Sequence, residues 1–297
     1  VVESLQINFD QLESGAWQLR GLAGNSGEVV DFDSLYRSLQ QVSQLSLHGV
    51  VIKLHSFEGK ILNLSDGMAT IANRDGMLYL HANLTLEESS EQMALSFEVS
   101  GDELVDMVGQ LHVDLPSSDY SELFNRQTLA ELSIKELFGG GSFWFRFVRG
   151  ELSEFVSQLE LDAVTLHSST SDSLSLSDLS GTASLRRHAT NDGWELALSN
   201  MGLSWQQLQW SPFNFFVSFI PQESVALWAD NIDVSLIAQF AESSGLLDES
   251  VRQQLAQYSP RGSLDNFSFS APLDENSDQH LLIKTNLNNV EVDSVRG

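Results

Sequence analysis

The chain has 297 residues, of which 42% are hydrophobic and 19% are charged, and its formal net charge is −26 at pH 7. Because the acidic residues are spread over the whole length, their field repels phosphate backbones, which argues against nucleic-acid binding. The absence of cysteine excludes disulfides, thiolate metal sites and thiol nucleophiles. No stretch reaches about 18 uninterrupted apolar residues, so the sequence predicts no membrane-spanning helix.

Alternation of apolar and polar residues with a period of two dominates the chain and predicts strands with one apolar and one polar face. Within residues 77–86, the side chains of Leu78, Leu80, Leu84 and Leu86 all face one way. The same alternation recurs at Leu95, Phe97 and Val99, at Phe143, Phe145 and Phe147, at Leu159 and Leu161, at Leu196 and Leu198, at Phe213, Phe215, Val217 and Phe219, and at Leu281 and Ile283. Strands joined by short turns are antiparallel, so the sequence predicts a mainly β fold.

Turn and helix signals punctuate these strands. The predicted turns are Asp66-Gly67, Asp75-Gly76, Gly139-Gly140-Gly141, Asn191-Asp192-Gly193 and Asn200-Met201-Gly202. Helices are predicted over residues 33–42, over 118–137 with Ser118 as N-cap, and as two short segments within 233–258. So few helices cannot cover all the one-faced strands. Either two sheets cover each other or the apolar face stays open.

A short repeat indicates a modular organisation. Residues 149–155, Arg-Gly-Glu-Leu-Ser-Glu-Phe, recur at 261–267 as Arg-Gly-Ser-Leu-Asp-Asn-Phe, and each copy follows a predicted helix and opens a strand-rich section. We therefore expect three modules. Residues 1–140 form a β-rich segment with short helices, 141–258 form a second β module that ends in a helical stretch, and 259–297 begin a further repeat.

No pattern of residues predicts catalysis. The seven histidines are scattered and none matches a zinc-site spacing, and the three consecutive glycines lack the Gly-Lys-Ser/Thr of a phosphate-binding loop. No Gly-x-Ser-x-Gly elbow occurs. The sequence therefore predicts a protein that is not an enzyme and that has no metal and no cofactor.

Short elements in the second half resemble the YhdP branch of the AsmA-like proteins of Gram-negative bacteria. These elements are Phe143-Trp144-Phe145, Arg149-Gly150-Glu151-Leu152, Leu176-Ser177-Asp178-Leu179-Ser180-Gly181, Gly193-Trp194-Glu195-Leu196, Leu203-Ser204-Trp205, Tyr258-Ser259-Pro260-Arg261-Gly262-Ser263-Leu264 and Asn286-Leu287-Asn288-Asn289-Val290. Residues 1–140 fit by strand pattern and composition. The chain begins without Met, and we expect it to be a segment of a longer protein.

The resemblance implies an elongated, curved antiparallel sheet that forms a taco-like apolar groove, with a few short helices at module boundaries. It implies a periplasmic segment of a bridge-like protein, attached to the inner membrane through parts outside this chain, that conducts phospholipid between the inner and outer membranes. The family offers no catalytic residues. Under this hypothesis the alternating apolar residues named above, from Leu78 to Ile283, line the groove and contact acyl chains.

Three further points stay open at this stage. A closed β-sandwich, serving as a structural or interaction module of a cell-envelope scaffold or adhesin, explains the same alternation with the apolar faces sealed against each other. Arg149 and Arg261, which are rare cations in an acidic chain, either meet lipid phosphate at the rim of a groove or pair with nearby carboxylates. Exposed strand edges would also allow self-association.

Overall fold

The structure is a computed structural model, and it describes residues 2–20, 32–87, 90–124, 128–129, 132–168, 173–188, 192–205, 208–244, 249–274 and 280–292. The chain divides into two compact units. The first unit comprises Val1–Gln127 and Glu136–Ser157, and the second comprises Thr128–Lys135 and Gln158–Gly297. The predicted division into three modules stays a prediction.

Strands make up most of the described residues. The strands are β1 (Val2–Gln11), β2 (Trp17–Leu19), β3 (Gln44–His55), β4 (Ile61–Arg74), β5 (Met77–Leu86), β6 (Gln92–Ser100), β7 (Val108–Asp119), β8 (Thr128–Leu129), β9 (Leu132–Val148), β10 (Glu151–Ser168), β11 (Leu174–Arg187), β12 (Trp194–Trp205), β13 (Leu208–Ile220), β14 (Ser224–Asp233), β15 (Arg261–Pro272) and β16 (Leu282–Glu291). The helices are α1 (Phe32–Gln40), α2 (Ser121–Phe124), α3 (Val234–Ser244) and α4 (Glu249–Tyr258), with a single 3₁₀ turn at Leu104–Asp106.

Within each unit most strands pair with their neighbours in the chain. In the first unit the order is β2-β1-β3-β4-β5-β6-β7-β9, and β9 continues through a turn at Arg149-Gly150 into the first part of β10. In the second unit the order runs from β10 through β11, β12, β13, β14 and β15 to β16, and β8 pairs with the start of β9. The prediction of a mainly β fold with a few short helices is confirmed.

One strand pair departs from the predicted antiparallel arrangement. Strand β1 pairs in parallel with β3, with Val2 opposite Leu47 and Phe9 opposite Leu54. A parallel pair needs a crossover connection, and helix α1 lies in the chain between these two strands. The other pairs whose register is resolved are antiparallel, so the prediction holds for them.

Several predicted turns are β-bulges within strands instead. Asp66 (φ 50°) lies inside β4 and Asn200 (φ 51°) inside β12, and the strand register shifts at both positions. Asp and Asn tolerate the left-handed conformation that a bulge requires, which is also why they occur in turns. Asp75-Gly76 is a true turn between β4 and β5. Residue 191 lies outside the described residues, so the turn predicted at 191–193 is described only in part.

The prediction of a flexible turn at Gly139-Gly140-Gly141 is wrong, because these residues lie inside β9. Gly139 pairs with Ser118 and Gly141 with Leu115 in the neighbouring strand β7. A Cβ atom added to Gly140 would lie 2.5 Å from the backbone oxygen of Leu115. The glycines therefore allow two backbones to approach closely rather than providing flexibility.

The helix predictions are confirmed in part. Helices α1, α3 and α4 agree with the segments predicted over 33–42 and within 233–258. The helix predicted over 118–137 is wrong, because Ser118 still belongs to β7 and, of the residues described in this range, only Ser121–Phe124 are helical. The first copy of the repeat therefore follows strand β9, whereas the second copy follows α4. At the start of α2, the Ser121 N–H donates to Asp119 Oδ1 over 2.9 Å, so Asp119 provides the cap assigned to Ser118.

Candidate functional site

Residues from six strands line up in one apolar row across the first unit. Strand register places these residues opposite one another in chain order: Leu45, Ile71, Leu80, Phe97, Leu111 and Phe145. A second row lies two residues away along each strand. It consists of Leu47, Ala69, Ala82, Leu95, Val113 and Phe143. Alternation makes each strand one-faced, and the register brings the faces together on one side of the sheet.

The aromatic end of these rows continues onto β10. The Phe155 ring lies 5.0 Å from the Phe145 ring and 6.4 Å from the Phe143 ring, measured between ring centroids. Such separations are typical of interacting aromatic pairs. Phe155 is the last residue of the first copy of the repeat, so this copy of the repeat places an aromatic side chain on the apolar face.

Helix α1 covers one margin of the apolar face. Tyr36 of α1 is 6% exposed and belongs to a buried cluster with Ile71, Leu78 and Val99. Leu39 packs against the same cluster. Two of the predicted lining residues, Leu78 and Val99, are therefore only 4% and 1% exposed beneath a helix.

Polar contacts fasten α1 in this position. The Tyr36 hydroxyl donates to the backbone oxygen of Gly101 over 3.0 Å, and the Asn73 side-chain amide donates to the backbone oxygen of Gln40 over 2.6 Å. An ion pair joins Arg37 to Glu103 over 3.0 Å, but both side chains are about half exposed, so it contributes little. The helix is thus tied to β4 and to the loop between β6 and β7.

The segment around α2 covers the opposite margin. Tyr120 is 5% exposed and packs in a cluster with Val50, Leu64, Leu84 and Leu86. Leu123, Phe124 and Leu137 lie partly buried against that cluster. The predicted lining residues Leu84 and Leu86 are therefore 3% and 1% exposed.

Hydrogen bonds hold this second cover closed. The Tyr120 hydroxyl donates to the backbone oxygen of Pro116 over 2.7 Å, and the Leu137 N–H donates to the Ser121 hydroxyl over 2.9 Å. Burial raises the pKa of Tyr120 to about 12, so the phenol stays neutral in the folded state. The buried Gln11 side chain donates to the Leu123 oxygen over 3.4 Å and accepts from the Phe57 N–H over 3.2 Å.

Between the two covers lies a strip formed by the two rows that contain Leu80 and Ala82, which we call the central strip. Ile71, in the first of these rows, is buried under α1. The other large side chains of the strip are half-buried: Leu45, Leu47, Leu80, Leu95, Phe97, Leu111, Val113, Phe143 and Phe145. Adjacent rows are about 7 Å apart along the strands. The central strip is therefore an apolar surface two rows wide. It runs perpendicular to the strands and lies between the two covers.

The second unit repeats the apolar row with different residues. Register across β11 to β16 aligns Leu185, Leu196, Val217, Leu227, Phe269 and Ile283, which we call the second-unit row. The parallel row is Ala183, Leu198, Phe215, Ala229 and Phe267. Helix α3 lies against β14 and β15, and α4 packs on α3.

The structure places the remaining predicted lining residues as follows. Phe147 lies opposite Gly109, beside the central strip, and Phe213 lies opposite Met201 in the second unit. Leu159 and Leu161 are half-buried residues of β10, whereas Leu281 precedes β16 and is 59% exposed. Phe219, in the row beside the second-unit row, is 44% exposed. Contact of any of these side chains with lipid stays a prediction.

The sequence reasoning missed several members of the rows. Leu111 and Val113 alternate with His112 and Asp114, and Leu45 and Leu47 alternate with Ser46, so the same periodicity could have found them. In the second unit, Leu185, Leu227 and Phe269 were also missed. Phe269 lies in the alternation Phe267-Ser268-Phe269-Ser270, so the same periodicity could have found it. Around Leu227 apolar residues occupy both parities, so periodicity alone does not mark one face there.

The opposite face of the first unit has its own concavity, of about 780 Å³. Its lining includes Glu98, Gln110, His112, Trp144 and Arg146. The Gln110 amide donates to Glu98 over 3.0 Å, and the His112 and Trp144 rings stack with centroids 4.8 Å apart. Met77, Val108 and Val156 also line the concavity, so polar and apolar side chains are mixed on this face of the first unit.

Within the described residues no three His, Asp or Glu side chains are grouped so that they could hold a metal ion. Among the helices described, none has the length and apolar character needed to cross a bilayer.

Comparison with known proteins assigns the chain to a family. The family model described as "YhdP protein" matches residues 1–297, which is the whole chain. No curated protein and no solved structure matches it significantly.

Proposed function

The chain belongs to the YhdP family, and on that premise we propose that its two units bind the acyl chains of phospholipids and conduct them between the inner and outer membranes without a chemical step. The observation that supports the proposal is the alignment of apolar side chains from six consecutive strands in each unit. In this proposal the segment lies in the periplasm, and parts of the full-length protein outside this chain attach it to the inner membrane.

The dimensions of a row suit one acyl chain. Six strands span five inter-strand steps of about 4.8 Å, so a row is about 24 Å long. The hydrocarbon core of a bilayer is about 30 Å thick, so the chains of one leaflet extend over about 15 Å. A lipid chain that crosses the strands therefore fits within the central strip or the second-unit row.

Burial of methylene groups supplies the affinity. Each methylene removed from water contributes about 0.8 kcal/mol, so a chain of about 16 carbons held dry gains about 12 kcal/mol. This gain offsets removal of the chain from the bilayer, while the polar headgroup stays in water. The acidic exterior, with a net charge of −26, gives no general attraction for anionic headgroups.

Movement follows from the same interaction. Hydrophobic contact is non-directional and scales with area, so a chain that slides along a row exchanges one set of contacts for an equivalent set. The covers formed by α1 and by the segment around Tyr120 bury the two margins of the first unit's apolar face. They confine the lipid to the central strip rather than letting it spread along the strands.

A closed β-sandwich is the alternative that an experiment must distinguish from a lipid-binding apolar face. Within the first unit the margins of the apolar face are covered by a helix and a short segment, and the large side chains of the central strip other than Ile71 remain half-buried among the residues described. A sandwich would cover the central rows with a second sheet, as dry as the margins.

Site-specific photocrosslinking tests the proposal, and the strands offer matched controls. A photoreactive amino acid at Leu80, Phe145 or Phe215 lies on the apolar face. The control positions are adjacent residues on the opposite face, Trp144 for Phe145 and Phe216 for Phe215. We expect phospholipid adducts, detected by mass spectrometry after irradiation in cells, at the apolar positions and not at the controls. Absence of adducts at all three apolar positions, or equal labelling of both faces, would overturn the proposal.

A further inference from the structure

Arg187 is a basic residue that the strand register places on the apolar face of the second unit. It lies opposite Trp194, which in turn lies opposite Phe219. Leu185, two residues earlier on the same strand, belongs to the second-unit row. Arg187 therefore extends the apolar face by one row, at the strand ends where β11 turns into β12.

The neighbours of Arg187 make this margin amphipathic. Phe219 is 44% exposed, so apolar surface continues to the edge, and Trp194 is half-buried beside it. An indole combines a large apolar surface with a polar N–H, and such side chains are common where an apolar region meets water. The margin thus offers apolar contact on one side and a cation on the other.

The ion pair between Arg187 and Asp192 is a weak one. The Arg187 Nη2 atom lies 3.0 Å from Asp192 Oδ1, but the Asp192 side chain is 86% exposed and that of Arg187 is 37% exposed. Exposed pairs of this kind contribute little, so this pair presents only a small barrier to a competing anion. A phosphate group accepts two parallel hydrogen bonds from a guanidinium and is a strong competitor for a carboxylate.

The spacing matches an amphiphile with an anionic headgroup. Two residues along a strand correspond to about 7 Å, so the guanidinium lies at the margin beside the second-unit row rather than over it. An acyl chain on that row leaves its headgroup at such a margin, in water. We propose that Arg187 binds the phosphate of a lipid headgroup and so makes the second unit prefer phospholipids over uncharged acyl lipids, an inference that rests on the proposed function.

The neighbouring Arg186 is a matched control. It has the same charge, but it lies opposite Glu195 on the other face of the sheet. Substitution of either arginine lowers the net charge of the chain by one unit. A general electrostatic effect therefore changes binding equally in the Arg186→Gln and Arg187→Gln variants, whereas a site at the apolar margin responds to Arg187→Gln alone.

The test measures the binding of three probes to the whole chain. These are dipalmitoyl phosphatidylglycerol, dipalmitoylglycerol, which has the same chains without phosphate, and inorganic phosphate. We expect Arg187→Gln to weaken binding of the phospholipid by about tenfold, since a hydrogen bond to a charged group is lost. Binding of dipalmitoylglycerol should stay within about twofold, and Arg186→Gln should change neither. Arg187→Lys, which keeps the charge but not the paired geometry, should give an intermediate loss.

Each other outcome overturns the inference in a recognisable way. If Arg187→Gln weakens both lipids equally, the residue contributes packing and not phosphate recognition. If it weakens neither, the headgroup does not contact Arg187. If inorganic phosphate binds as well as the phospholipid does, and through Arg187, the site recognises a free anion. If wild-type protein binds neither lipid, the proposed function fails and this inference fails with it.

Discussion

Leu80 and Leu86 provide a direct test of the difference between the central strip and the covered margins. Both lie on the same face of β5, and both were predicted from alternation to line a groove. The structure distinguishes them, because Leu86 is 1% exposed in the cluster with Tyr120 whereas Leu80 is half-buried in the central strip. The matched perturbations are Leu86→Ala and Leu80→Ala.

The burial of each side chain sets the expected magnitudes. Truncation of a fully buried leucine loses its transfer free energy and leaves a cavity, so Leu86→Ala should lower the stability of the first unit by about 3 kcal/mol. Leu80 already meets water with part of its side chain, so Leu80→Ala should cost about 1 kcal/mol. Lipid binding should respond in the opposite order. Loss of lipid contact worth about 1 kcal/mol weakens binding about fivefold in Leu80→Ala, while Leu86→Ala should stay within about twofold.

Two measurements check this pair of variants. Hydrogen exchange of β5 amides reports the stability of the first unit by itself, and binding of a fluorescent phospholipid by the intact chain reports the affinity. Equal losses of stability in the two variants would show that the margins are no better covered than the central strip. A larger loss of binding in Leu86→Ala than in Leu80→Ala would place the lipid beneath Tyr120 and refute the assignment of the strip.

Three further predictions concern the stability contributed by Tyr120, Asp230 and Gly109. Because burial raises the pKa of Tyr120 from its ordinary value of 10.0 to about 12, the neutral phenol stabilises the fold below pH 10, and about 2 kcal/mol should be lost as the pH rises to 12. Urea unfolding of Tyr120→Phe should lack this alkaline loss. Burial acts to raise the pKa of Asp230, but hydrogen bonds from Asn214 and from the backbone outweigh it, so the pKa lies below its ordinary value. The stability that results is present above about pH 4 and should be lost as the pH falls through the lowered pKa, and Asn214→Ala should flatten this acid dependence of the urea midpoint. A Cβ at Gly109 would lie 2.4 Å from a carbonyl oxygen of β6, so Gly109→Ala should destabilise the first unit by about 1–3 kcal/mol in the same exchange assay. An unchanged exchange profile in that variant would contradict the close approach of β6 and β7.

Local signals in the sequence were informative about which residues share a face. Leu80, Phe97 and Phe145 were assigned to one face of their strands from alternation alone, and register aligns all three in one row. A period of two is a property of the extended backbone, so it can be recognised without knowledge of the neighbouring strand. The succession of short elements that resembles the YhdP branch was likewise sufficient to predict the family.

Local turn signals gave wrong predictions where the same residue types occur both in turns and inside strands. Asp66-Gly67 predicts a turn and is a bulge in β4, and the glycines at 139–141 predict a flexible loop and lie within β9. Both features depend on the adjacent strand, which either accepts an extra residue or approaches too closely for a Cβ. That neighbour is not visible in a local pattern.

Whether the apolar face is covered was decided by tertiary structure alone. The sequence determined that Leu78, Leu80 and Leu86 share a face, because the alternation of apolar and polar residues is a property of a single strand. It could not determine that α1 covers Leu78 and that Tyr120 covers Leu86 while Leu80 stays half-buried between them. These contacts join residues far apart in the chain, and they depend on strand register and on hydrogen bonds such as that from Tyr36 to Gly101. The sequence therefore specified an apolar face, and the packing of two distant segments onto it specified which part remains for a ligand.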